Sequence, residues 1–281
     1  MNATTVPAPP VPPTLPSPTW FVGCGNMAGA MVAGWRSFGV DFSNAVAIRP
    51  SGRLIEGVRT VASMAAAGDA PKLAIFGFKP QQLDAVAPQL AQSLSEETVI
   101  VSLLAGVEAA TLRSRFMRAR SIVRLMPNLP VSIRRGVIAL YSDDADNALR
   151  AQLSELAASL GYAMWTSSEA TLAAIGSLAG AGPAYVARFI AALAKAGVRR
   201  GLPESTALTV AVETVLGTAW MAATTREPMD DVVARVASPR GTTEAGLAVL
   251  DPHLDNLVAS TIEAAARRGA ELAEDAAYQS S

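Results

Sequence analysis

Short runs rich in β-branched and aromatic residues alternate, from Trp20 onward, with stretches of helical periodicity. The runs are Trp20–Gly23, Ala45–Ile48, Lys72–Phe78, Thr98–Leu104, Ser121–Met126, Gly136–Tyr141 and Tyr162–Thr166. The amphipathic stretches lie around Ala28–Ser37, Leu54–Ala66, Gln81–Leu94, Ala109–Phe116 and Ala145–Leu160. A strand that is apolar throughout has no face to turn to water. Continuous apolar strands with helical crossovers therefore predict a mainly parallel sheet covered on both sides, an α/β fold of the Rossmann-type doubly wound class.

After about Ser168 the strand pattern stops. Glu169–Arg200, Pro203–Ala223, Asp230–Val236, Thr243–Leu250 and Pro252–Asp275 read as helices, separated by Gly and Pro. Several are apolar on more than one face, as in Tyr185–Ala194 and Leu208–Gly217. A helix apolar nearly all round must be buried, and about a hundred residues enclose little interior, so these helices are expected to pack on a second copy of the chain. The expected organisation is a Pro-rich disordered tail over 1–18, a dinucleotide-binding domain over 19–167, a helical dimerisation and substrate domain over 168–275, and a tail over 276–281.

Composition narrows the partners. Lys and Arg number 23 against 24 Asp and Glu, with no block of one sign, so nothing points to nucleic acid or an anionic membrane. One cysteine, Cys24, and one histidine, His253, leave no disulfide framework and no metal cluster, and a reducing, cytoplasmic compartment is expected. The first 19 residues hold seven prolines and no charge, unlike a secretory or transit peptide. Gly, Pro or charge interrupts every later apolar run before it reaches the length of a membrane span.

The loop Gly23-Cys24-Gly25-Asn26-Met27-Ala28 places Gly-x-Gly-x-x-Ala between the first strand and the first helix. There the first glycine allows a tight turn, the second lets backbone approach a pyrophosphate, and the small Ala28 permits close helix packing. Cys24 reads as a small spacer, with no histidine near it in sequence. The second strand ends Arg49-Pro50-Ser51-Gly52-Arg53 where an NAD site carries a carboxylate. Arg49 and Ser51 suit a 2′-phosphate, which predicts NADPH over NADH; Arg53 reads equally well as an ordinary exposed arginine. Phe76–Pro80, Ser102–Gly106 and Met126–Pro130 end three further strands at the same crevice.

Near the other end, Ser238-Pro239-Arg240-Gly241-Thr242-Thr243-Glu244 runs into a helical pattern. Unpaired amides at a helix start, with hydroxyls beside them, favour a small carboxylate. The amides of Arg240 to Thr243 are the expected donors, since Pro239 has none. His253 reads as a surface or capping residue, Trp35, Trp165 and Trp220 as core, and Asp143, Asp144 and Asp146 as a helix cap.

Taken in order, the Gly23–Ala30 loop, Phe78-Lys79-Pro80, Met126-Pro127-Asn128-x-Pro130, Gly180–Tyr185 and Ser238-Pro-x-Gly-Thr-Thr resemble the motif set of pyrroline-5-carboxylate reductases, over about Trp20 to Arg268. The resemblance implies NAD(P)H-dependent reduction of a cyclic imine to L-proline, the last step of proline biosynthesis, by a homodimer or larger assembly. It implies that Gly23, Gly25, Asn26 and Met27 form the cofactor loop and that Phe78, Lys79 and Pro80 form the nicotinamide-side corner. It further implies that Leu103, Leu104 and Ala105 line the cofactor with Asn128, and that Glu169, Ser238, Arg240, Gly241, Thr242 and Thr243 bind substrate, Thr243 facing the ring nitrogen as the catalytic hydroxyl. Ala179, Ala181, Leu129, Arg235 and Arg240 depart from the family's pattern, Arg240 standing at a glycine position. Two other readings stay open: a related imine or ketimine reductase or a β-hydroxyacid-dehydrogenase-like enzyme, for which Lys195 would be the catalytic lysine, and a non-enzymatic NADPH-binding oligomer in which Ser238–Thr243 only caps a helix.

Overall fold

A computed structural model describes residues 11–278, with side chains placed through residue 271. Two compact units emerge: the described part of one is residues 11–180 with 266–278, and the other is residues 181–265.

In the first unit eight strands form one sheet: β1 (Thr19–Val22), β2 (Ala45–Ile48), β3 (Arg59–Val61), β4 (Leu73–Phe76), β5 (Val99–Ser102), β6 (Ser121–Pro127), β7 (Gly136–Tyr141) and β8 (Gly161–Trp165). Their order is β3-β2-β1-β4-β5-β6-β7-β8, and all neighbours are parallel except β6 and β7. Residues 128–135 between β6 and β7 are too few for a crossover helix, so β7 returns antiparallel. Helices α1 (Asn26–Phe38), α2 (Leu83–Ser93), α3 (Ala109–Arg115) and α4 (Asn147–Ala158) cover the sheet.

Strand periodicity divides the interior in two. Phe21, Ala47, Ile75, Val101 and Val123 face α1 and α4, while Trp20, Val22, Ala74, Phe76, Ile100 and Ile122 face α2 and α3. Both faces of each central strand are thus buried, as their uninterrupted apolar character requires.

The helix expected over Leu54–Ala66 is absent. That stretch contains an isolated bridge, β3 and a short 3₁₀ turn over Met64–Ala66. Gly52 and Gly57 take positive φ there, which ends helical continuity, and three half-exposed strand residues leave little periodicity to read. The proline-rich segment also departs from expectation. Residues 1–10 of the expected tail lie outside the described residues, but Leu15 is buried in the core and the Pro18 carbonyl accepts from the Lys72 amide at 2.8 Å.

Helix α5 (Glu169–Ile175) continues into a π-helical turn over Gly176–Gly180. Helix α5 packs on β7 and the π turn on β6, which carries the compact unit past the change of pattern at residue 168 to Gly180.

The second unit contains α6 (Gly182–Arg199), α7 (Glu204–Thr225), α8 (Met229–Val236) and the start of α9 (Thr242–Tyr278). Helices α6 and α7 form a close hairpin, in which a Cβ on Gly197 would lie 3.2 Å from Ala207 Cβ. Helix α9 runs unbroken through Pro252, correcting the expected division there and the expected end at 275; the proline forgoes one backbone bond without ending the helix. His253 is consequently an exposed mid-helix residue. The stretches Glu169–Arg199 and Glu204–Thr225 are long and apolar enough to cross a membrane by length and composition, despite the interruptions. Their apolar side chains lie largely exposed in this single chain, Phe189 at 48% and Trp220 at 57%, the latter contrary to its expected core position.

Candidate active site

Steric fit explains the glycine loop. Gly23 has φ +71°, and a Cβ there would come within 2.7 Å of Phe78 Cβ; a Cβ on Gly77 would come within 2.4 Å of the Gly23 carbonyl and 2.9 Å of Ala28 Cβ. The ends of β1 and β4 therefore touch through backbone alone. Gly25 is the exception, since its nearest neighbour would be 3.7 Å away, leaving backbone open to a ligand at the start of α1. Gly25 caps that helix without any side-chain hydrogen bond, so its first-turn amides face the opening without a side-chain competitor.

From this loop a groove of about 500 Å³ extends along the strand ends. It brings together Gly23, Gly25, Arg49, Ser51, Phe78 and Lys79, as the sequence predicts, and adds Met64, Gln82 and Val86. The added residues carry no motif: Met64 follows the strand hidden in a false helical pattern, and Gln82 and Val86 sit at the entry of α2. Arg49 is held in place by donating from Nη1 to the Arg53 carbonyl at 2.8 Å, and the Arg53 amide approaches Ser51 Oγ at 3.4 Å. Arg53 itself is exposed and does not line the groove. Lys79 opens a 3₁₀ turn over Pro80–Gln82, where Gln82 Oε1 accepts from the Lys79 amide at 3.1 Å.

Cys24 is buried in the loop, and burial pushes its thiol up to about 11 against a smaller opposing pull from Arg49. The thiol stays protonated at neutral pH, as a spacer's would.

Several expected cofactor residues lie outside the groove lining. Asn26 is exposed and Met27 half-buried in the first turn of α1, where their backbone amides are the groups available to a pyrophosphate. Pro80 follows Lys79 without lining the groove, Leu103 is half-buried and does not line it, and Ala105 is exposed. Leu104 is 2% exposed in the core beside α2 and α3, so its side chain packs the fold instead of a ligand.

Asn128 and Glu169 differ most from expectation. Asn128 is buried, its Oδ1 accepting from the Val137 amide at 2.8 Å and its Nδ2 donating to the Ala179 carbonyl at 3.0 Å. Glu169 Oε1 accepts from Arg124 Nη1 at 2.6 Å and from the Ala109 amide at 2.9 Å. Protein partners thus occupy both side chains, and a carboxylate at 169 has the wrong sign to attract a carboxylate substrate.

The hydroxyl-rich turn lies in the second unit. Gly241 donates its amide to the Ser238 carbonyl at 2.9 Å, and a Cβ there would press within 2.5 Å of Ser238 Oγ. The Arg240 amide donates to the Glu244 carboxylate in the first turn of α9. Two amides expected to hold substrate are therefore engaged within the turn. Thr242 and Thr243 open α9, where first-turn amides have no intrahelical partner, with Thr243 half-buried and Thr242 exposed. Arg240 has φ +56°, a left-handed backbone that favours glycine. Arg235 is drawn to Glu227, with 2.6 Å between Nη2 and Oε2, instead of reaching toward a phosphate. Lys195 is exposed on α6, as a solvent-facing lysine would be.

Comparison with known proteins agrees with this arrangement. Residues 169–272 match the family described as pyrroline-5-carboxylate reductase dimerisation. The chain is 35% identical to pyrroline-5-carboxylate reductase of Pseudomonas aeruginosa, over 90% of this chain and 96% of that protein. It is 32% identical to the Pisum sativum enzyme of the same name, over 90% and 94%. The structure of a pyrroline-5-carboxylate reductase from Coxiella burnetii superposes with a TM-score of 0.81 at 30% identity, covering 91% of this chain and 98% of that one. Glycine loop, doubly wound sheet, helical second unit and near full-length similarity converge, and the chain belongs to the pyrroline-5-carboxylate reductase family.

Proposed function

We propose that this protein reduces 1-pyrroline-5-carboxylate to L-proline with NADPH, the last step of proline biosynthesis, and that it works in the cytoplasm as a homodimer or larger assembly joined through its C-terminal helices. The observation that carries the cofactor assignment is the groove, with an uncapped helix start at one part and Arg49 and Ser51 at another. The glycine backbone and the α1 amides suit the pyrophosphate, and Arg49 with Ser51 suits a 2′-phosphate by charge and hydroxyl donation. Lys79 adds a second cation to the groove wall.

When bound, the nicotinamide supplies a hydride to the carbon of the protonated C=N bond. The protein's share is proximity and orientation, without a strong base. The Thr242 and Thr243 amides are assigned to the substrate carboxylate, and the Thr243 hydroxyl to the ring nitrogen. The apolar faces of α6 and α7 are assigned to a second copy of the chain in place of lipid, in keeping with the dimerisation family that matches this region.

The test follows NADPH absorbance with pyrroline-5-carboxylate. Oxidation of NADPH and formation of proline are expected. Oxidation only with a six-membered imine or a keto acid would favour the neighbouring reductase readings, and binding without any turnover the non-enzymatic one. Arg49→Glu should lower the preference for NADPH over NADH by roughly 10-fold or more, because a charge-assisted hydrogen bond becomes a repulsion; an unchanged preference would remove Arg49 from the assignment.

A further inference from the structure

Arg124, Met126 and Asn128 occupy alternate positions along β6 and just beyond its end, and alternate side chains of a strand share a face. All three hold the segment that runs from α5 into the π turn. Arg124 Nη1 donates to Glu169 Oε1 at 2.6 Å at the start of α5. Met126 lies against Gly176, where a Cβ would sit 3.3 Å from Met126 Cε. Asn128 Nδ2 donates to the Ala179 carbonyl at 3.0 Å near the end of the π turn.

This ladder is rigid for identifiable reasons. Arg124 is 7% exposed and its charge is matched by Glu169, whose Oε1 also accepts from the first amide of α3. Asn128 cannot flip its amide without losing both the Val137 and the Ala179 bonds. A π turn is wide and uncommon, persists where neighbours support it, and recurs at functional sites. Here the support comes from β6, and β6 runs parallel to β1, β4 and β5, whose ends deliver Gly23, Phe78 and Leu103. Asn128 therefore stands at the ligand edge of the sheet. A Cβ on Gly180, one residue past the tethered carbonyl, would meet nothing within 4 Å among the described residues.

We infer that Asn128, backed by Met126 and by the Arg124–Glu169 pair, is a positioning residue for the reduction. It fixes the Ala179–Gly180 end of the π turn at the crevice, where the turn walls the reacting end of the site, and it does so through the Ala179 carbonyl without touching the cofactor. The inference rests on the reductase reading above and gives new roles to Asn128 and Glu169, for which the family resemblance implies direct ligand contact.

The experiment compares wild type, Asn128→Ala and Asn128→Asp. The aspartate keeps an acceptor for the Val137 amide but turns an oxygen toward the Ala179 carbonyl, so only that arm of the ladder is cut. For both variants kcat/KM for the imine should fall by about 10-fold or more, the scale expected when a buried hydrogen bond and near-attack geometry are lost together. The Kd for NADPH, read by fluorescence without imine, should stay within about twofold of wild type, because no cofactor contact is removed. Gly176→Ala, which presses on Met126 from the other side, should show the same split and serves if Asn128→Ala does not fold. NADPH affinity falling in step with kcat/KM would overturn the inference in favour of direct contact. A lower Tm with unchanged kinetics would overturn it in favour of a purely structural tie. Wild-type enzyme inactive on pyrroline-5-carboxylate would strike the proposed function instead, and the split would then be measured with the imine or carbonyl compound the enzyme does reduce.

Discussion

The sheet unit and the helical unit treat their apolar residues in opposite ways. In the first, strand residues such as Phe21, Phe76, Ile100 and Ile138 are wholly buried within the chain. In the second, only Ala207, Ala211 and Val232 are buried, while Val186, Phe189, Leu208, Val210, Leu216 and Trp220 stand about half exposed. The sheet unit encloses its own core; the α6–α7 hairpin needs another surface to enclose one. Stability and assembly are therefore separable, the first unit depending on internal fit and the second on a partner.

The largest effect should come from the side of the comparison that lacks its own core. Phe189→Glu puts a charge on the apolar face of α6, and burying an unpaired charge at an interface costs about 3–5 kcal/mol, enough to weaken association by roughly 100- to 1,000-fold or more. Sedimentation should show monomers while the sheet unit stays folded by near-UV circular dichroism. An assembly that survives would show that this face is not the joint.

Gly23→Ala probes internal fit instead. The added Cβ meets Phe78 at 2.7 Å with φ positive, and overpacking with backbone strain should cost about 2–4 kcal/mol. NADPH binding should be lost with the loop's shape, and the oligomer should persist. A variant that binds NADPH normally would show the β1–β4 contact to be slack.

Asp144 sharpens the same contrast through pH. Burial alone would raise its carboxyl, but hydrogen bonds from Ser121, Arg113, Ser142 and the Ile122 amide outweigh burial and hold it below its ordinary value. A lowered folded pKa gives stability that is fully present above the unfolded value and is lost as pH falls through the folded one. Asp144→Asn should therefore cost about 0.5–1.5 kcal/mol at neutral pH, solvent screening at this partly exposed site reducing what its hydrogen bonds contribute, and flatten the loss of stability in acid, measured by urea melts from pH 7 downward. Equal acid sensitivity in wild type and variant would assign the effect elsewhere.

The smallest expected change is a gain. Arg240→Gly relieves a left-handed arginine in the turn before α9 and should add about 0.5–1 kcal/mol, offset in part by the greater freedom of glycine when unfolded. A fall in melting temperature would show that the arginine side chain contributes more than its backbone costs.

Much of the fold was legible because burial repeats along a strand or helix at a fixed spacing. Val99–Ser102 and Ala45–Ile48 announce buried strands by having no polar face, and Gly23, Gly25 and Ala28 announce the dinucleotide loop through what each position must avoid. Where local pattern was thin, it misled: β3 is three residues long and half exposed, and Pro252 falls inside a helix that continues past it. The α6 and α7 faces were legible as needing cover, since their apolar residues exceed what two helices can bury between them.

The doubly wound sheet, the glycine loop, the basic Arg49–Arg53 end of the second strand and a helical region with apolar faces to cover are all properties of neighbours along the chain and were readable from it. Only the tertiary structure decided which side chains are free to meet a ligand. Asn128 and Glu169 look alike to any motif, yet one is bonded to a carbonyl 51 positions on and the other to an amide 60 positions back. Met64, Gln82 and Val86 join the groove from elements whose sequences carry no such mark. Periodicity is fixed by local geometry, whereas hydrogen-bond partners are fixed by which elements the packing of the whole domain brings together.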